Sequence, residues 1–272
     1  IPATKALVFM EQRGDAEMTL KVTGLQWKWK YDYLDEDISF ISTLAQDSND
    51  ARQIGSGIDP NTVENYLLDV DNYVVLPIKT KIRILTTAAD VIHGWWVPDL
   101  GWKRDAIPGF INDNWTYIEE PGIYRGNCAE LCGRDHGFMP IVVNAVSKEE
   151  YVAWVDEQKA EQSAAAAGAD REWTKEELLE KGAEVYAANC VACHMAEGQG
   201  LEGLFPALKG SAIVNGPASE MIMQVLNGKN MMPAFKDLLN DVDIAAAITH
   251  ERNSWGNTAA DTVQPSDIKA AR

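Results

Sequence analysis

Apolar side chains alternate with polar ones through the first part of the chain. From Met18 they fall on every second residue (Met18, Leu20, Val22), then change phase to Leu25, Trp27, Trp29, Tyr31 and Tyr33. Period-two alternation predicts strands with one buried face, and the phase change at Gly24 predicts a β-bulge. Further apolar runs over 66–70, 73–78, 82–87, 115–118 and 141–146 predict more strands. Many short strands with turn residues between them mean a sandwich or barrel. After residue 147 the period lengthens. Residues 148–163 read as a helix and 164–170 as a pliable linker. Leu178, Gly182, Val185 and Tyr186 then recur at helical spacing, and 241–254 reads as a closing helix with Ile244, Ala247 and Ile248 on one face. Residues 257–272 are polar, which predicts a poorly ordered tail. The pattern therefore divides the chain into 1–147, all β; 148–173, helix and linker; 174–256, all α; and the tail.

Charge narrows the partners. The chain has 272 residues and a formal net charge of −17, which argues against nucleic acid and anionic membrane surfaces. Between Asp35 and Asp71 stand nine Asp or Glu, with Arg52 the one residue of opposite sign. Singly these are solvated loop residues; together they form a field that steers a basic partner. No run approaches the eighteen or so apolar residues of a membrane helix.

The chemistry concentrates in two places. In Cys128-Ala-Glu-Leu-Cys132-Gly-Arg-Asp-His136-Gly-Phe-Met139, two thiols, an imidazole and a thioether lie within one short segment, and a second imidazole, His93, stands upstream. Thiolate, thioether and imidazole together suit copper, and the donors exceed what one tetrahedral zinc takes up. A disulfide and a structural zinc are the competing readings. The second place is Cys190-Val-Ala-Cys193-His194, the attachment signal of a c-type haem: two thiols add to the vinyl groups and the His ligates iron. Downstream, Met231 and Met232 precede Pro233 and offer a thioether. His/Met ligation gives a low-spin haem suited to electron transfer. Copper and haem together would account for all four cysteines, so that no disulfide is needed, and both centres agree with assembly outside the cytoplasm.

The stretch His93-Gly-Trp-Trp-Val-Pro-Asp-Leu-Gly-Trp-Lys-Arg-Asp-Ala-Ile-Pro-Gly109, followed by Cys128 to Met139, resembles subunit II of cytochrome c oxidase. The resemblance implies a cupredoxin-type Greek-key barrel holding a binuclear CuA centre. It implies His93, Cys128, Cys132, His136 and Met139 as side-chain ligands and the backbone carbonyl of Glu130 as another. It also implies that the Glu130 carboxylate reaches a magnesium ion against the catalytic subunit, and that Trp27 lies over the copper where electrons enter. The loop around Asp105 would lie against that subunit, but Phe110 stands where relatives often carry Arg. Residues 1–10 look like the end of a membrane helix, so the chain reads as a piece of a membrane-anchored subunit. Residues 174–256 resemble a class I cytochrome c. That resemblance implies Met232 as the second axial ligand, with Met231 a packing residue, and the Pro206 carbonyl as the group orienting His194. His250 stands where relatives commonly have Tyr and reads as a packed or solvated side chain.

Together these imply the electron-entry subunit of a caa3-type oxidase on the outer face of a bacterial inner membrane. Its partners would be the catalytic subunit, other membrane subunits and a basic soluble cytochrome c. The alternatives are a CuA-bearing nitric oxide reductase, a thiol-redox copper chaperone and a stand-alone periplasmic electron carrier. Nitrous oxide reductases place aromatic residues between the copper cysteines, where this chain has Ala129, Glu130 and Leu131.

Overall fold

The change of phase near Gly24 is a chain reversal rather than a bulge. In the computed structural model, which describes residues 1–12, 14–53 and 55–272, a helix α1 (Pro2–Met10) is followed by β1 (Met18–Leu25) and β2 (Lys28–Tyr33). The two strands pair antiparallel across a turn at Gln26 and Trp27, with Leu20 opposite Tyr33 and Val22 opposite Tyr31. Directly opposed residues share a face of the sheet. In this register an even position always meets an odd one, so the buried set switches parity with no extra residue.

The chain divides into two units, Ile1–Lys159 and Ala160–Arg272. In the first, β3 (Ile38–Ser42) and α2 (Gln46–Ala51) precede β4 (Val74–Pro77), β5 (Lys81–Ala88), β6 (His93–Val97) and β7 (Trp102–Ala106). β8 (Asn112–Tyr117), β9 (Gly122–Cys128) and β10 (Pro140–Val146) complete two five-stranded sheets, ordered β3-β2-β1-β5-β8 and β4-β10-β9-β6-β7. β1 and β5 run parallel, as do β4 and β10, and the other paired strands are antiparallel. The core is made of the inward-facing residues of both sheets, with Leu20, Trp29, Tyr31, Ile82 and Ile84 from one and Leu76, Trp95, Ile141 and Val143 from the other. This is the cupredoxin-like sandwich that the resemblance implied. The apolar run at 66–70 forms no strand: it is a turn, with Val70 bridged to Leu44. α1 buries no residue, and no helix among the described residues is long and apolar enough to cross a membrane.

Helix α3 (Lys148–Gly168) runs past the end expected for it. Its first part packs Trp154 on Tyr33 at 5.0 Å between ring centroids. The stretch 164–168, expected to be a pliable linker, is helical, because a run of alanines has the highest helix propensity available.

The second unit contains α4 (Lys175–Asn189), α5 (Val191–His194), α6 (Ala212–Asn215), α7 (Ala218–Asn227), α8 (Asp241–Asn253) and α9 (Pro265–Ala271). Thr174 and Glu177 form a capping box at the start of α4. Leu178, Gly182, Val185 and Tyr186 are its buried face. A Cβ on Gly182 would lie 2.1 Å from the Ala246 carbonyl oxygen, so only glycine lets α4 and α8 cross this closely. The polar tail expected over 257–272 is instead ordered. Val263 and Ile268 belong to the core cluster with Leu226, Phe235 and Ile244, and Arg252 pairs with Asp261 at 2.7 Å.

Candidate metal centres

The ligand-bearing segment 128–139 closes a hairpin. Pro140 pairs with Asn127 across β9 and β10, and the Cys128 N–H donates to the Met139 carbonyl at 3.0 Å, so Cys128 and Met139 sit opposite each other at its base. β6 lies beside β9, with Trp95 opposite Cys128, and the Ala129 N–H donates to the Gly94 carbonyl at 2.8 Å. That register brings His93 to the same end of the sheet. The donor atoms of His93, Cys128 and Cys132 all lie within 4.8 Å of one another, and all three side chains are buried. The two sulfurs are 3.8 Å apart, and Cys132 Sγ is 3.4 Å from His136 Nδ1. The Glu130 carbonyl is 3.4 Å from Cys128 Sγ, and Met139 is buried.

The surroundings orient these groups. His93 Nε2 donates to Asp90 at 2.8 Å, leaving Nδ1 facing Cys128 Sγ at 3.9 Å. Fixing the far nitrogen in this way sets the ring and tautomer for a metal. Burial alone would lower the basicity of His93, but the Asp90 carboxylate and Cys128 outweigh it and leave it raised. The Cys132 thiol, with His93 behind it, draws the Cys128 thiol down, and the pair's second proton is correspondingly held. A cation between the sulfurs would release that proton, as metal binding at thiols does. Gly24, on the opposite sheet, leaves room for this imidazole: a Cβ there would lie 2.7 Å from His93 Cδ2. Two thiols, two imidazoles, a thioether and a carbonyl fit a soft metal pair.

Trp27 sits at the turn between β1 and β2, and its Nε1–H donates to the Cys132 carbonyl at 3.2 Å, beside a 2.8 Å bond from Gln26 Nε2. The Glu130 carboxylate is the group that the resemblance implied for a magnesium ion. It is 45% exposed and pairs with Lys103 at 3.4 Å, and Lys103 also pairs with Asp105 at 2.5 Å. A cation of the chain itself already answers both carboxylates.

In the helical unit, Cys190 ends α4, and Cys193 and His194 follow on the next turn, so the three lie along one face. His194 Nδ1 is 2.9 Å from the Pro206 carbonyl, which leaves Nε2 as the nitrogen able to ligate a metal. Burial lowers the basicity of His194, with Pro206 opposing, and so favours the neutral imidazole that ligates a metal. Met232 is partly buried against the core cluster, whereas Met231 is 58% exposed. Two thiols on the face of a hydrogen-bonded imidazole fit a covalently attached haem. His250 packs on Tyr186 and Trp255, at 5.7 and 5.4 Å between ring centroids.

Sequence reasoning missed Asp90, Gln26 and Glu251. Asp90 stands three residues before His93, a spacing that brings a carboxylate back to the ring in a tight turn. Glu251, buried in α8 near Cys190, has no such signal.

Residues 18–146 match the family described as cytochrome c oxidase subunit II, periplasmic domain. Residues 177–250 match the family described as cytochrome c oxidase, cbb3-type, subunit III. The probable cytochrome c oxidase subunit 2 of Rickettsia bellii is 44% identical over 156 residues, covering 57% of this chain and 54% of that protein. The mitochondrial subunit 2 of Vigna unguiculata is 46% identical over 148 residues, covering 53% and 37%. The chain thus spans about half the length, or less, of these curated relatives. The crystal structure of the periplasmic domain of subunit II from Bradyrhizobium japonicum is 39% identical, with 55% of this chain and 99% of that one covered and a TM-score of 0.48. By these sequence matches the chain belongs to the cytochrome c oxidase subunit II family, with a cytochrome c domain following the subunit II periplasmic domain.

Proposed function

We propose that the chain is the electron-entry part of a caa3-type cytochrome c oxidase. With haem c and a binuclear copper centre bound, it would carry electrons from an external donor to the haem of the catalytic subunit, where O2 is reduced to water. The observation that carries this reading is the gathering of His93, Cys128 and Cys132 within 4.8 Å, with His136 3.4 Å from Cys132, in a chain that also presents Cys190, Cys193 and His194 on one helical face. A copper pair held by these thiols and a haem held by His194 and Met232 would supply one-electron transfer with little rearrangement.

The residues have distinct parts in this. His93, Cys128, Cys132, His136, Met139 and the Glu130 carbonyl hold the copper pair. Asp90 fixes the ring of His93, and Trp27 covers the centre through its bond to the Cys132 carbonyl. Cys190 and Cys193 would anchor the haem, His194 and Met232 would ligate it, and Pro206 orients His194. The net charge of −17 favours a basic soluble cytochrome as the donor. The catalytic subunit and its membrane partners take the electrons onward, on the periplasmic side.

Titrating the metal-loaded chain anaerobically with a reductant tests this. As electrons are added the haem α and β bands sharpen and the copper–thiolate bands bleach, and the chain alone consumes no O2. A haem that reduces with no copper–thiolate absorption to follow it contradicts the reading.

A further inference from the structure

Arg52 is the one basic residue in the acidic stretch 35–71, yet it is not spent on solvent. Its side chain is 13% exposed and reaches across 83 residues of sequence to Asp135, whose side chain is 5% exposed, at 3.3 Å. The guanidinium also lies 4.6 Å from the ring centre of Phe138 and donates through Nε to Asn49 at 2.9 Å. Asp135 and Phe138 flank His136 in the 3-10 turn His136–Phe138. Arg134 answers Asp135 as well, at 3.1 Å, from within the same loop, and its guanidinium lies 5.9 Å from the ring centre of Trp27. The first half of the ligand loop is tied by Gln26 and Trp27 at the Cys132 carbonyl. Arg52 does the same for the second half.

We propose that Arg52 is a positioning residue for the copper centre. By pairing with Asp135 and stacking on Phe138 it holds the turn that presents His136, and so sets His136 against Cys132 before metal arrives. The proposal rests on the copper reading above. A planar guanidinium can donate to the carboxylate and lie on the ring at once; an ammonium cannot do both. Removing groups that bond directly to metal ligands typically costs about 10- to 100-fold in metal affinity, and Arg52 acts one step further out, through the residues on either side of His136.

The test uses the full chain as wild type, Arg52→Met, Arg52→Lys and Asp135→Asn, each titrated with copper against a competing chelator. Each variant is also read by electron paramagnetic resonance and, without metal, by circular dichroism. Arg52→Met keeps the stem over Phe138 and the metal-free fold, loses about 10-fold in copper affinity, the lower end of that range, and shows an altered copper hyperfine pattern. Arg52→Lys falls between it and wild type, and Asp135→Asn resembles Arg52→Met. Wild-type affinity and spectrum in a folded Arg52→Met overturn the proposal. So does an Arg52→Met that fails to fold beside an Arg52→Lys of wild-type affinity and spectrum, which would make Arg52 a folding residue only. A wild-type chain that takes up no copper pair overturns the copper reading itself, an outcome distinct from the other two.

Discussion

Glu251 is buried to 6% exposure beside Cys190, and burial pushes its carboxyl up from 4.5 to about 8, with the Cys190 thiol opposing. A thioether at Cys190 has no S–H to donate, so haem attachment removes that opposition. Between pH 4.5 and about 8 the folded domain holds a proton that the unfolded carboxyl has given up. Its stability therefore falls as pH rises through that window, by at most about 1.4 kcal/mol per pH unit. Glu251→Gln keeps the shape and cannot ionise, so urea unfolding followed at the haem becomes flatter with pH than in wild type. An unchanged slope would assign the pH dependence elsewhere. Residue-scale chemistry was legible where it is local. The spacing of Cys128, Cys132, His136 and Met139, and of Cys190, Cys193 and His194, needs no knowledge of the fold, because each set lies within a turn or two of chain. Arg52 and Asp135 are 83 residues apart, and nothing in either neighbourhood announces the other.

At the scale of elements, strands were legible where one face is buried and the other wet. β5 buries every second residue, Ile82, Ile84, Thr86 and Ala88, and its apolar alternation is plain. β9 buries only Cys128 fully, so Gly122–Cys128 carries no alternation to read, although it bears a ligand. The hairpin of β1 and β2 was visible as a phase change, but a bulge and a reversal leave the same mark on the pattern. The helix α9 escaped because it offers one large apolar side chain, Ile268, among polar ones. That residue is fully buried in the cluster with Leu226, Phe235 and Ile244. Nearby, Arg272 pairs with Asp241 and donates to the carbonyls of Lys236 and Leu239, in the segment that follows Met232. Ile268→Ala is expected to destabilise the helical unit by about 2–4 kcal/mol through transfer and cavity effects, measured as a lower urea midpoint at the haem. A change below about 0.5 kcal/mol, the size usual for surface positions, would mean that α9 is an appendage.

Over the whole molecule, the chain combines a two-sheet β unit and a helical unit, each with its own core and its own set of donors. The β unit gathers the donors of His93, Cys128 and Cys132 to within 4.8 Å, with no further pair of cysteines to compete for them. The two sulfurs stand 3.8 Å apart, close enough for both to bridge one pair of ions. In the reading proposed above, this arrangement would hold a copper pair sharing one unpaired electron. Electron paramagnetic resonance of the copper-loaded, oxidised chain tests it most directly, with Cys128→Ser as the control. The account predicts hyperfine splitting spread over two equivalent copper nuclei, lost in Cys128→Ser. A signal from a single isolated copper, or the same spectrum with and without Cys128, would contradict it.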